Sequence, residues 1–186
     1  RLSFNFLYDE FIFDKIEKEK GKENGKAYSF RISKLLVMNS YNRVNLFISN
    51  INIGTPTFRH GNGYNNFVNR NKPLGWRYGS DTKELFFGFN HTFKEKYFST
   101  FITGNREIGE ESILYRPYER YEDYLKGSFP SGSTLKLTYF RFESSFWIKK
   151  NLLTLLSLNM ERDFSGVNKI DFNVGFDYHF SKNLVI

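Results

Sequence analysis

Residues 169–180 read Lys169-Ile170-Asp171-Phe172-Asn173-Val174-Gly175-Phe176-Asp177-Tyr178-His179-Phe180. Ile170, Phe172, Val174, Phe176, Tyr178 and Phe180 share one side of an extended chain, and Lys169, Asp171, Asn173, Gly175, Asp177 and His179 share the other. Side chains alternate across a strand with period two, so this stretch predicts a β-strand with one apolar and one polar face. Tyr178 and Phe180 stand at its end, where an interfacial aromatic girdle is expected of a membrane barrel.

The pattern recurs upstream. Tyr28, Phe30, Ile32, Leu36 and Met38 alternate with Ser29, Arg31 and Ser33, and Leu85, Phe87, Phe89 and Phe93 with Gly88, Asn90 and Thr92. Leu2, Phe4, Phe6 and Tyr8 start another strand, whose phase slips at Asp9-Glu10 before Phe11 and Phe13, as at a bulge or a change of face. Residues 43–53, 97–106, 134–147 and 152–160 alternate more weakly, bringing the expectation to about eight strands on this template.

The connections alternate too. Lys94-Glu95-Lys96, Lys149-Lys150-Asn151 and residues 39–42 are short, whereas 15–26, 54–83 and 107–133 are long. Short periplasmic turns and long extracellular loops are the habit of outer-membrane barrels, although the short connection 164–168 breaks the rule. The short turns share a plan in which an aromatic ends one strand, a lysine-containing turn follows and an apolar strand begins. Phe93 to Tyr97, Trp147 to Leu152 and Phe180 to Leu184 all follow it. Leu184-Val185-Ile186 therefore reads as the start of a further strand, and Arg1-Leu2-Ser3-Phe4 opens already in strand pattern. The expectation is a single barrel segment over 1–186, incomplete at both ends.

Composition agrees with a two-faced wall. Aromatics are 19% of the 186 residues, with 22 Phe, while charged residues are 25% and mean hydropathy is −0.51. No run of about 18 apolar residues exists to form a spanning helix, and a barrel of strands about ten residues long needs none. No signal peptide is visible. Cysteine is absent, and His60, His91 and His179 are scattered without metal-ligand spacing, so neither a disulfide framework nor a metal site is expected. The net charge of +7 and pI near 9.4 suit anionic lipid or polysaccharide. The lysines cluster at turns and loops with no nucleic-acid motif beside them, so nucleic acid is not an expected partner.

Candidate chemistry is sparse. Asp9, Glu10 and Asp14 form an acidic group with no nucleophile, base or metal cluster to accompany it, which favours a rim or lumen role with cationic neighbours over acid–base catalysis. His60-Gly61-Asn62-Gly63-Tyr64 lacks the Lys-Ser or Lys-Thr and the following helix of a phosphate loop, and reads as a flexible loop. Neither a catalytic residue nor a cofactor is expected. The long loops hold more. Trp76, Arg77, Tyr78 and Asp81 fall together in the second, and Tyr115, Arg116, Tyr118, Arg120 and Tyr121 in the third. Aromatic faces stack on sugar C–H faces, and Arg and Asp bind hydroxyls or acidic groups, so these nine residues are the candidate polysaccharide contacts. The competing reading makes them a girdle that folds the loops over the barrel mouth.

The run Asn71-Lys72-Pro73-Leu74-Gly75-Trp76-Arg77-Tyr78-Gly79-Ser80-Asp81, followed by Glu84-Leu85-Phe86-Phe87-Gly88-Phe89, resembles Wzi-type capsule assembly proteins, in which a Pro-Leu-Gly stretch and a Gly-x-Asp element precede a barrel strand. Phe6-Leu7-Tyr8-Asp9-Glu10-Phe11-Ile12-Phe13-Asp14 resembles their acidic strand end, and Gly109-Glu110-Glu111 and Phe129-Pro130-Ser131-Gly132 are similar as well. The resemblance spans most of the chain and implies the C-terminal part of an outer-membrane barrel that helps hold capsular polysaccharide at the cell surface. It identifies no glycan and transfers no individual binding residue.

The expectation is thus an all-β, antiparallel transmembrane β-barrel of the bacterial outer membrane, a fragment of a larger barrel with about eight strands in view. Its expected partners are outer-membrane lipid and capsular polysaccharide. The alternatives are a porin-like or transport barrel, and a soluble lipocalin-like barrel with its apolar face turned inward.

Overall fold

The computed structural model describes residues 1–9, 11–19, 23–60, 63–119, 128–163, 165–166 and 168–179. Glu10, Gly61, Asn62, Arg120, Tyr121, Phe180 and the expected strand start Leu184-Val185-Ile186 lie outside them.

Eight strands form one antiparallel sheet: β1 (Leu2–Asp9), β2 (Gly25–Asn39), β3 (Asn42–Ile53), β6 (Thr82–Phe93), β7 (Tyr97–Ile108), β8 (Leu135–Lys149), β9 (Leu152–Asp163) and β10 (Asn168–Tyr178). Each pairs with its neighbour in sequence, so the sheet is an up-and-down meander. A single helical turn, α1 (Lys15–Glu19), lies between β1 and β2. A two-stranded ribbon, β4 (Val68–Asn69) with β5 (Lys72–Pro73), sits inside the second long loop. The eight alternating segments read from the sequence are the eight strands of the sheet; the ribbon escaped that reading because two-residue strands carry no periodicity.

Among the described residues the sheet is not closed into a barrel. The described strands make an open sheet, with β1 and β10 as its two edges and no pairing between them. Period-two alternation specifies a two-faced strand but says nothing of whether the first strand meets the last.

Pairing register assigns every strand residue to a face, because residues directly opposite in an antiparallel ladder point the same way. One row runs Leu2, Ile32, Ile48, Phe87, Thr103, Phe140, Met160, Ile170 across all eight strands. The row beside it, toward the short turns, runs Lys34, Leu46, Phe89, Phe101, Phe142, Leu158, Phe172. These rows form an apolar belt, knit by the stacked rings of Phe89 and Phe101 (5.4 Å) and the edge contact of Phe101 with Phe140 (5.1 Å). On the long-loop side the belt gives way to Lys83, Glu107 and Lys136, where the one carboxylate meets both lysines at 2.9 and 3.9 Å.

The belt crosses the strands obliquely. Leu2 and Ile170 share a row, yet the apolar run on β1 climbs from there through Phe4 and Phe6 toward the long loops. On β10 it descends through Phe172, Val174 and Phe176 toward the short turns. Nothing in the described chain covers the belt: Leu2 is 70% exposed, Phe172 66% and Phe176 65%.

The opposite face is mixed and partly covered. Ala27, Ile51 and Ile53 form its buried cluster, against which Phe58 and Trp76 of the second long loop pack together with Phe86 of β6. That loop folds back over the sheet.

Candidate functional site

The second long loop, 54–81, is fixed at both ends. It leaves β3 through a turn in which Phe58 takes a positive φ of 66° and donates its backbone N–H to the Asp9 carboxylate at 2.7 Å. The Asp9 assigned to a rim is therefore a loop anchor. Asp14 likewise accepts from the Ile16 N–H at 2.8 Å and starts α1. The Phe58 ring stacks on Phe67 (5.9 Å) and lies against Gly75, where a Cβ would be 2.4 Å from the ring and would force it to shift. The chain then delivers Trp76 to the buried cluster and ends at Asp81.

Asp81 is a clasp. It is fully buried, at a positive φ of 56°. One carboxylate oxygen accepts from Thr55 Oγ1 (2.8 Å) and the Ser131 N–H (2.9 Å), and the other accepts from the Ser131 hydroxyl. Its carbonyl accepts the Gly109 N–H at 2.9 Å, and a Cβ on Gly109 would be 1.9 Å from the carboxylate. Asp81 thus joins the end of β3 and the far end of the third loop through its side chain, and the end of β7 through its carbonyl.

Tyr78 organises the second half of the site. Its ring lies 3.1 Å from the Arg106 guanidinium of β7, whose other neighbour is the Tyr139 ring of β8 at 4.7 Å. Arg106 is buried, pairs with Glu84 at 2.8 Å, and reaches Glu161 at 3.8 Å. Two more guanidiniums converge on the Tyr78 hydroxyl. Arg77 donates to it from the loop, and Arg141 of β8 approaches it at 3.4 Å while its Nε donates to Asn159 at 2.9 Å. Burial, and then the positive charges of Arg141 and Arg106, hold the Arg77 pKa below its ordinary value. Arg77, Arg141, Glu143, Asn159, Glu161, Lys169 and Asp171 line a polar cavity of about 300 Å³ beside this cluster.

The third loop makes its own surface. Arg116 pairs with Glu111 at 2.9 Å and lies 3.6 Å from Glu119. Tyr115 and Tyr118 are each 49% exposed. Arg59 donates to the carbonyls of Glu111 and Glu119, Asn66 to those of Pro117 and Glu119, and the Asn71 N–H to the Tyr118 hydroxyl. The two loops are therefore one knitted body.

No protein family, curated protein or solved structure matches this chain. The site is accordingly described by its own geometry, which divides the residues singled out in the sequence. Tyr115, Arg116 and Tyr118 lie on the loop surface, Arg77 borders the polar cavity, Tyr78 stands between Arg77, Arg141 and Arg106, and Trp76 and Asp81 face inward. Arg120 and Tyr121 lie outside the described residues. Sequence reading missed Glu84, Arg106, Tyr139, Arg141, Asn159 and Glu161, all in strands. Their signal was charge on alternate strand positions, as in Tyr139-x-Arg141-x-Glu143, where a wall residue would be small or neutral.

Proposed function

We propose that this chain is wall and mouth of an outer-membrane β-barrel that helps assemble or retain capsular or surface polysaccharide. The observation that carries the membrane half of this reading is the oblique apolar belt. It is exposed, crosses all eight strands and ends at a charged rim. Contiguous apolar surface of that extent needs a partner, and lipid fits a band that stays level while tilted strands pass through it. In this reading the apolar face meets lipid and the mixed face lines the lumen. A lipocalin-like barrel would place the two faces the other way round.

The polysaccharide half rests on the loops. A porin leaves its lumen open, whereas here the second loop packs onto the lumen-side face and is clasped through Asp81 to the third. A barrel closed in this way serves better as a surface platform than as a channel, and the exposed Tyr115 and Tyr118 offer it sugar-stacking groups beside Arg116, which Glu111 and Glu119 hold in place. The resemblance to Wzi-type capsule assembly proteins points the same way. Two measurements on the full-length protein test it. Planar bilayers should show little open-pore conductance, and cells carrying Tyr118→Ala with Arg116→Ala should lose surface polysaccharide while the barrel keeps its heat-modifiable migration. A large steady conductance would favour the transport reading, and unchanged retention would reduce the loops to architecture.

A further inference from the structure

The cavity beside Tyr78 has a charge arrangement that the fold itself does not use up. Arg106 takes Glu84 and Glu161, and Lys169 takes Asp171 at 3.4 Å. Arg77 and Arg141 remain. Among the described residues neither makes an ion pair, although both approach the same phenol oxygen. Two guanidiniums that meet at one hydroxyl repel one another; Glu84 and Glu161 offset part of that repulsion on Arg77, and an anion between the two arginines relieves the rest. The Arg77 pKa is lowered first by burial and then by Arg141 and Arg106, against the opposing pull of Glu84 and Glu161.

The rest of the lining narrows the kind of anion. Glu143 and Asn159 also border the cavity, so acceptors for hydroxyl groups stand next to the cations. Glu143 repels any anion, a divalent phosphate or sulfate ion more strongly than a monovalent carboxylate, and it gives the former nothing in return. A ring that carries one carboxylate and several hydroxyls uses both sets. A volume of about 300 Å³ is at the small end for ligand sites and suits one sugar unit better than a chain segment. The platform is also rigid, because Tyr78 is stacked on a buried arginine that is fixed in turn by Glu84 and Tyr139. Groups already held in place lose little freedom on binding.

We propose that Arg77 and Arg141 form a carboxylate-binding fork for a hexuronate unit, with Asn159 and Glu143 taking its hydroxyls. The site lies on the mixed face of the sheet, apart from the outer surface of Tyr115, Arg116 and Tyr118. The inference rests on the polysaccharide reading above and adds to it an acidic sugar and a place for it.

The test uses the full-length protein folded in detergent micelles, with methyl β-glucuronide and its neutral counterpart methyl β-glucoside as probes. Calorimetric titration should show the glucuronide binding at least about tenfold more tightly, since a charge-assisted pair to arginine is the contact the glucoside lacks. Arg141→Gln should remove about that factor, Arg141→Lys should restore only part of it because lysine lacks the fork, and added salt should weaken the glucuronide alone. If Arg141→Gln fails to fold, Arg77→Gln, in an exposed loop position, serves in its place. Equal affinity for the two sugars, no binding of either, or full binding by the glutamine variants would overturn the site. Glucuronide binding that Arg77→Gln abolishes without any loss of cell-surface polysaccharide would keep the site and reject the capsule role.

Discussion

At the scale of single residues, neighbours in sequence have opposite duties. Phe172 belongs to the apolar belt through its pairing with Leu158, and Asn173 stands opposite Ser157 on the mixed face, where its amide reaches the Ser157 hydroxyl. Phe172→Arg should lower stability of folding into lipid by about 2–4 kcal/mol, the cost of a charge in the hydrocarbon, while Asn173→Arg costs far less. Equilibrium unfolding of the two variants in lipid vesicles measures the difference, and equal losses would reverse the face assignment. The turn after β6 carries strain of its own. Lys94 and Glu95 both have positive φ, at 51° and 55°, where L-residues with a Cβ are disfavoured. Glu95→Gly should stabilise the hairpin by about 1 kcal/mol, read as a shift in denaturant midpoint at unchanged slope.

At the scale of elements, the clasp and the buried ion pair join loops to sheet by different physics. Asp81 accepts three hydrogen bonds in a site closed to water. Asp81→Ala should cost about 2–3 kcal/mol and expose residues 54–81 to protease, because the partners left behind are buried without an acceptor. Asp81→Asn should rescue much of that, since its amide oxygen can keep the bonds from Thr55 and the Ser131 N–H while its amide nitrogen donates to the Ser131 hydroxyl. The Arg106–Glu84 pair has side-chain exposures of 1% and 2%, so breaking it strands a charge. Arg106→Met alone should cost about 3–5 kcal/mol, and Arg106→Met with Glu84→Leu should recover much of that, because two apolar side chains leave no charge to solvate. A double-mutant cycle by chemical denaturation checks this.

At the scale of the whole molecule, the sheet is a two-sided wall whose sides are unlike in finish. The belt side is bare, and the mixed side is packed by a loop that enters from one end. The unpaired edges of β1 and β10 present backbone groups that hydrocarbon would leave unsatisfied, so lipid insertion requires those edges to be paired. Oxidative labelling of the full-length protein in lipid should therefore spare the belt residues Phe87, Phe140 and Met160 and the backbone of both edge strands. Labelling of Met160 as strong as in the unfolded chain would place the belt in water.

The eight strands and their faces were readable from the order of residues, as Ile170 to Tyr178 shows, because a strand with one wet and one dry side must alternate with period two. The short lysine-bearing turns were readable for the same reason, as breaks between such runs. The site was readable only in part. Trp76, Arg77, Tyr78 and Asp81 announced a special loop, yet their neighbourhood in sequence hid their roles. Asp81 looked like a sugar ligand and is a clasp, since its partners Thr55 and Ser131 lie 26 and 50 residues away. Arg141 and Asn159 escaped the sequence reading, and register brings them opposite one another beside Tyr78. Local alternation is a property of one strand and is written in it. The inward fold of a loop, the slant of the belt and the meeting of three arginines at one tyrosine depend on the register between strands and on packing over long separations, and only the tertiary structure decides those.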